Sequence, residues 1–209
     1  MKPDLKQKIF LKNMIYFSEK FYNYEPFIFY GSLLGIVREK NVIKNDDDID
    51  FFINYDQKDK ILNKISNIEK FKINHSLSDK FFTQIYFFDQ GIKICIDMYF
   101  YLNPFGKNYI IDKHNFFGDI KNDKKFLHIP KKLIFPLIKC KDFDNILIPN
   151  LSNDLCEFLY GNNWKTPLRK NVRYKMSIKN NKPILIKINF LSGIVRSLKI
   201  IIKNIFKKY

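Results

Sequence analysis

Several residue types are scarce in this chain, and each scarcity narrows what it can be. Cysteine is limited to Cys95, Cys140 and Cys156. An odd number without C-x-x-C spacing excludes a disulfide framework. His75, His114 and His128 are scattered, so they and the cysteines build no zinc site at a recognisable spacing. Seven Gly and eight Pro in 209 residues exclude collagen-like and low-complexity chains. The start, MKPDLKQKIFLKN, lacks the uninterrupted apolar region of a secretory signal, which points to a reducing cytoplasm. Acidic residues are few, 21 against 37 Lys and Arg, for a net charge of +16. From Leu168 to Tyr209 there are twelve basic residues and no acid, leaving 25 basic against 21 acidic before them. Excess charge of this size invites a nucleic-acid reading. Basicity gathered in a tail is not a groove across a domain, so no nucleic-acid partner is expected.

Apolar mass is plentiful. Hydrophobic residues make up 46% of the chain, with 22 Phe and 12 Tyr, enough for one aromatic core. Leu5, Ile9, Phe10, Met14, Phe17 and Phe21 recur at helical spacing, so residues 4–22 predict an amphipathic helix. Ile61, Leu62, Ile65 and Ile68 predict a surface helix within 56–70. Residues 71–76 suit a short strand. FFTQIYFF (81–88) and IKICIDMYFYL (92–102) read as strands joined by a turn at Asp89-Gln90-Gly91. Residues 103–125 are polar and turn-rich and predict a loop. Short apolar runs among Pro130, Pro136 and Pro149 predict extended pieces over 127–150, and 153–160 a helix ended by Gly161. The mixture gives an α+β fold.

The chemistry gathers between Phe27 and Ile53, FIFYGSLLGIVREKNVIKNDDDIDFFI. Phe27–Tyr30 reads as a buried strand. Gly31-Ser32 breaks it and opens a helix carrying Leu33, Leu34, Ile36 and Val37. Asp46-Asp47-Asp48-Ile49-Asp50 then leads into a second apolar strand. Strand side chains alternate, so Asp48 and Asp50 share a face, Asp46 joins them if the strand starts early, and Asp47 points away. Carboxylates about 6–7 Å apart repel by roughly 2–3 kcal/mol at an effective dielectric of ~20. A divalent cation removes that repulsion, and carboxylate oxygens suit Mg²⁺ or Mn²⁺. The plainer reading is a solvated acidic turn. Gly-Ser upstream and Asp-x-Asp at the strand entrance favour the metal. Gly31 permits close backbone approach, and a helix N-terminus with the Ser32 hydroxyl offers donors to phosphate; a simple N-cap is the alternative. Arg38 would hold a phosphate or pair with a nearby acid. Asp97 stands inside the apolar run CIDMYF, where an unpaired carboxylate is expensive.

G-S-L-L-G-x-x-R over Gly31–Arg38, then Ile43 and the D-x-D-x-D of Asp46, Asp48 and Asp50, resemble the LicD family of phosphotransferases. That family includes fukutin-related protein and belongs to the polymerase β-type nucleotidyltransferases. Lys44 and Asn45 stand where many members carry Pro-Trp. Phe135-Pro136-Leu137, Ile148-Pro149-Asn150 and the Tyr160–Pro167 segment YGNNWKTP are similar to the series that closes such domains, so the resemblance covers about residues 5–167. It implies a nucleotidyltransferase-like mixed β-sheet flanked by helices. It also implies metal ligands at Asp46, Asp48, Asp50 and Asp97, with Asp97 alternatively the general base beside catalytic Asp48 and Asp50. Phosphate contacts fall to Gly31, Ser32 and Arg38, and the cofactor is Mg²⁺, or Mn²⁺ in its place. The implied donor is a CDP-activated alcohol, most commonly CDP-choline. The implied acceptor is a hydroxyl of lipooligosaccharide, capsule, teichoic acid or another lipid-linked glycan, with CMP released. An NTP-dependent nucleotidyltransferase releasing pyrophosphate would share these motifs. A non-catalytic basic protein binding membrane or nucleic acid is the reading without chemistry.

The catalytic domain is expected over 1–170, with a linker over 171–182. Over 183–209, Leu191, Ile194, Val195, Leu198, Ile202 and Ile205 fall on one helical face, and Arg196, Lys199, Lys203 and Lys207 mainly on another. Charges this frequent exclude a bilayer span. Such a basic amphipathic helix suits the headgroups of an anionic membrane, on the inner face of the cytoplasmic membrane. A core helix with a solvated face is the alternative.

Overall fold

The computed structural model describes residues 4–116, 126–167, 172–177 and 182–187. Helix α1 (Leu5–Lys20) starts in a reciprocal cap. The Gln7 N–H donates to Asp4 Oδ1 at 2.9 Å, and the Asp4 N–H donates to Gln7 Oε1 at 3.1 Å. Then come β1 (Phe27–Ile28), α2 (Tyr30–Glu39), β2 (Ile49–Asn54), α3 (Lys58–Ser66), β3 (Lys72–Ile73), β4 (Phe82–Asp89) and β5 (Ile92–Tyr101). They are followed by β6 (Tyr109–Phe116), β7 (Phe126–Pro130), β8 (Leu137–Cys140), β9 (Phe143–Pro149) and α4 (Ser152–Tyr160). Seven strands form one mixed sheet in the order β3-β4-β5-β2-β1-β9-β8, while β6 and β7 pair separately. Central β2 runs parallel to β5 and antiparallel to β1.

Alternation along the strands divides the sheet into two chemical faces. Ile49, Phe51 and Ile53 of β2 stand beside Ile96, Met98 and Phe100 of β5, all buried. Phe17 of α1 covers this face, its ring centroid 4.7 Å from that of Phe51. Ile61 and Ile65 of α3 are also fully buried. The opposite face carries Asp50 and Phe52 of β2, Asp97 and Tyr99 of β5, and their β4 partners Gln84 and Phe82. Tyr30, at the start of α2, packs over that face, 5.6 Å from Phe52 and 5.1 Å from Tyr99 between centroids. One face is therefore core, and the other supplies polar groups at a single level.

Two expectations need correction within this unit. Residues 103–125 were expected to be all loop, yet Tyr109–Phe116 is a strand. Tyr109-Ile110-Ile111 has strong β propensity, and its partner β7 lies beyond a long separation that local pattern does not reveal. Asp46 to Asp48 precede the strand, which begins only at Ile49. Period-two alternation therefore does not apply to them. Asp47 does not point to an opposite sheet face but sits exposed in the turn beside Asp46 and Asp48.

Met1–Cys156 and Glu157–Tyr209 form separate compact units. In the second, Gly161 adopts φ +83° and donates its N–H to Glu157 O at 2.7 Å, ending α4. Strands β10 (Val172–Ser177) and β11 (Lys182–Lys187) pair antiparallel. The expected linker over 171–182 thus contains a strand, and 184–187 are strand where a helix was expected. Alternate β-branched Ile184 and Ile186 favour that outcome. The remainder of the expected helix, 188–209, lies outside the described residues. Among the described residues no helix is long and apolar enough to cross a membrane.

Gly35 sets how closely the chain can return over α2. A Cβ there would stand 2.6 Å from the Asn41 carbonyl oxygen and 3.0 Å from the Ile43 nitrogen, both backbone atoms. Gly35→Ala is expected to destabilise the protein by about 1–3 kcal/mol, read as a lower denaturant midpoint. An unchanged midpoint would contradict this packing.

Candidate active site

Asp50 is fastened to the corner between β1 and α2. The Phe29 N–H donates to Asp50 O at 3.1 Å and the Asp50 N–H to Ser32 Oγ at 2.8 Å. The Ser32 N–H donates to Asp50 Oδ2 at 3.3 Å. A helix N-terminus favours negative charge, and here the anion is the chain's own carboxylate. Between these contacts Tyr30 is held at φ +41°, an uncommon conformation for a bulky side chain. Its hydroxyl donates to the buried Asp112 carboxylate, and its ring lies among Phe29, Phe52 and Tyr99. The surroundings thus over-determine a strained residue. Gly31 follows. A Cβ on it would lie 3.2 Å from Asp50 Oδ2 and 3.3 Å from Asp46 Oδ2, so its bare Cα leaves a cradle between two carboxylates.

The register of the parallel pair places Asp97 directly opposite Asp50. Carboxylate oxygens of Asp48, Asp50 and Asp97 lie within 4.8 Å of one another, as do those of Asp46, Asp47 and Asp48. Asp48 belongs to both groups. Asp50 and Asp97 are only 5% and 6% exposed. Asp97 is held from the far side: Gln84 Nε2 donates to its Oδ1 at 2.8 Å. Asn74 Nδ2 donates to Gln84 Oε1 at 2.7 Å, and Ser76 Oγ donates to Asn74 Oδ1 at 2.7 Å. This amide chain fixes which end of Gln84 faces Asp97. Tyr99 is a further side-chain hydrogen-bond partner of Asp97.

The electrostatics follow from burial and crowding. Asp46 is pushed up to about 7, first by burial and then by Asp48 and Asp47. Asp48 is pushed up to about 6, by burial and then Asp47. Asp50 rises well above the usual carboxylate range, through burial and then Asp48, Asp97 and Asp46. Asp97 rises to about 7 through burial, opposed by the Gln84 hydrogen bond. The site therefore resists holding four negative charges by itself. Its donors are all oxygens, which suits a hard divalent cation, and the Gly31 cradle leaves room for close approach.

The remaining expected residues are placed differently. Ser32 is buried, and its N–H and hydroxyl oxygen both serve Asp50. Arg38 is in the last turn of α2, about 10 Å beyond Gly31 along the axis. Its guanidinium pairs with Glu39, and its charge reaches the buried Cys156 thiol, which burial pushes up to about 12. Gln84, Asn74, Tyr30 and Asp112 were not singled out from the sequence. Only Gln84 left a signal: a lone amide in an aromatic strand, opposite Asp97 once the hairpin register is drawn.

Residues 23–149, more than half of the chain, match the family model described as LicD/FKTN/FKRP, nucleotidyltransferase domain. The chain belongs to the LicD family. Search of curated proteins found no match. LicD membership brings a transferase assignment, of phosphotransferase type and directed at glycan modification. The matched region of this LicD protein contains the Gly31-Ser32 corner, the four carboxylates and Gln84.

The raised carboxyl groups make stability depend on pH in a definite direction. A carboxyl with a folded-state pKa near 7 and an ordinary one near 3.8 when unfolded costs stability once ionised. The penalty is full above about 7 and fades as pH falls toward 4. Metal-free protein is expected to melt several degrees higher at pH 6 than at pH 8. A lower melting temperature at pH 6 in the same chelator-treated sample would contradict these shifts.

Proposed function

We propose that this LicD protein is a metal-dependent phosphotransferase of the polymerase β-type nucleotidyltransferase class. It moves a phospho-alcohol, most simply phosphocholine, from a CDP-activated donor to a glycan hydroxyl. The acceptor glycan belongs to lipooligosaccharide, capsule, teichoic acid or a lipid-linked precursor. The single observation that carries this reading is the convergence of Asp48, Asp50 and Asp97 oxygens within 4.8 Å, beside a glycine-bounded cradle. Mg²⁺, or Mn²⁺, would be held by Asp46, Asp48, Asp50 and Asp97. When bound, it supplies charge neutralisation to the phosphate that is transferred.

The chain's own residues divide the remaining work. An Asp97 carboxylate oxygen lies in the shared cluster and can accept the proton of the attacking hydroxyl. That hydroxyl oxygen bonds to the phosphorus carrying the alcohol, the phosphorus–oxygen bond to CMP breaks, and CMP leaves. Gln84 keeps Asp97 oriented throughout. The Gly31-Ser32 corner is where donor phosphate would rest, with Ser32 steadying Asp50 beneath it. Arg38 would reach phosphate only by leaving Glu39. The buried aromatic rows around Phe52 and Tyr99 keep water from one side of the centre.

The twelve basic residues after Thr166, with no acid among them, suit attachment to the inner face of an anionic cytoplasmic membrane. Removal of 168–209 should abolish sedimentation with anionic vesicles; undiminished sedimentation refutes the attachment. For the chemistry, Asp48→Ala and Asp50→Ala should each reduce CMP release from CDP-choline by at least about 1,000-fold, on the scale of losing a charge-stabilising group, with the melting transition retained. Activity surviving both changes would refute the assignment. Pyrophosphate release from an NTP, with none of CMP from a CDP-alcohol, would instead make the protein a nucleotidyltransferase.

A further inference from the structure

The polar face of the sheet carries a second polar pair, one strand repeat from Asp97. Phe82 and Tyr99 stand opposite each other on that face, two residues along from Gln84 and Asp97, or roughly 6.5 Å away. His114 of β6 closes over them. Its ring stacks on Phe82, with centroids 4.1 Å apart and planes at 19°, and meets the Tyr99 ring edge-on at 5.6 Å. Tyr99 is in turn a hydrogen-bond partner of Asp97. His114 is thereby joined to the carboxylate centre through a single residue.

This histidine is held at both ends. Its backbone N–H donates to Asp112 Oδ1 at 2.9 Å, and Asp112 also accepts from the Tyr30 hydroxyl. Its Nδ1 lies 3.0 Å from Asp79 Oδ2. Asp79 is itself fixed in the turn before β4: its Oδ1 accepts from the Phe81 N–H at 2.7 Å, and its own N–H donates to Phe82 O at 2.8 Å. An ionised carboxylate only accepts, so Nδ1 donates, and the neutral ring keeps a lone pair on Nε2. Among the described residues Nε2 has no hydrogen-bond partner. The side chains of His114 and Asp79 are 26% and 42% exposed, above a Phe82 that is buried. A latch between β6 and the turn before β4 would need Nδ1 alone. An oriented imidazole at the surface, with one nitrogen unspent, suits a ligand hydroxyl.

We propose that His114, oriented by Asp79, binds the acceptor glycan, accepting at Nε2 from a hydroxyl next to the one that attacks. This rests on the phosphotransferase reading, because it takes the ligand to be a sugar. The attacking hydroxyl gives its proton to Asp97, so the bond to His114 falls to a neighbouring hydroxyl. The separation of the two levels, one strand repeat, is a distance that a single sugar ring spans. Acceptor selection is then the task of β6, while metal and donor belong to the Gly31–Asp50 corner.

The test compares wild type, His114→Ala, His114→Asn and His114→Gln as full chains, with saturating Mn²⁺. Two quantities are measured: affinity for CDP, and the KM of a fixed panel of methyl hexosides as acceptors of phosphocholine from CDP-choline. His114→Ala should raise the acceptor KM about 5- to 50-fold, the span expected for one lost hydrogen bond, with CDP affinity within about twofold of wild type. The Asn amide reaches the place of Nδ1 and can keep the bond to Asp79, but it offers nothing at the place of Nε2, so its acceptor KM should stay raised. The Gln amide reaches the place of Nε2 and should recover part of the loss. Recovery in Asn and not in Gln makes His114 a latch and overturns the proposal. An unchanged acceptor KM in His114→Ala overturns it, as does a joint loss of CDP affinity and melting temperature. Wild type that releases CMP from CDP-choline but transfers to no hexoside overturns the His114 assignment and leaves the metal-dependent reaction standing. Wild type that binds CDP and releases no CMP from CDP-choline removes the phosphotransferase reading, and the proposal with it.

Discussion

Everything distinctive about this molecule follows from the mutual repulsion of buried carboxylates at one corner of its sheet. Asp50 is buried, faces Asp97 across the parallel pair, and lies close enough to Asp46 that a Cβ on Gly31 would sit tightly against both carboxylates. Neutral side chains of the same shape would stabilise the fold better. Water cannot relieve the crowding either, because burial is the first cause of every raised carboxyl. The arrangement makes sense as half of an ionic assembly whose other half is a cation.

The rest of the fold holds that corner in place. Gly35 lets the return segment cross α2 at backbone contact, which sets the height at which the acidic turn passes Gly31. Tyr30 accepts a strained backbone and is anchored to Asp112 from the small second sheet. The Ser76–Asn74–Gln84 chain fixes Asp97 from the sheet edge. Each support comes from a different element, so the centre is built by tertiary structure and not by one local motif. The hydrophobic face beneath, from Phe17 through Phe51 to Phe100, supplies the stability that this arrangement spends.

Much of this was legible because the signals are local. Helical spacing in α1, the Asp89-Gln90-Gly91 hairpin and the Gly-Ser break each lie within a few residues of sequence. Asp97 was legible for an energetic reason: a carboxylate in an apolar strand demands company. What the sequence concealed depends on register and long separation. The place of Asp47 turned on where β2 begins, and β6 depends on a partner beyond residue 125. Gln84 gains meaning only opposite Asp97. For Arg38 the sequence left a phosphate contact and an acid partner open, and its pairing with Glu39 needed the folded helix to be seen. Residues 171–182 read as a linker and 183–187 as the start of a basic helix because the alternation that pairs β10 with β11 is short and interrupted.

The most direct measurement is calorimetric titration of Mn²⁺ into metal-free protein at pH 6.5, in two buffers of different ionisation enthalpy. Carboxyl groups held near 6 and 7 are partly protonated there, so a cation that occupies them must expel protons. Saturable binding with net proton release, lost in Asp50→Asn, is the predicted result. No binding, or binding without proton release and unchanged in Asp50→Asn, would contradict the account.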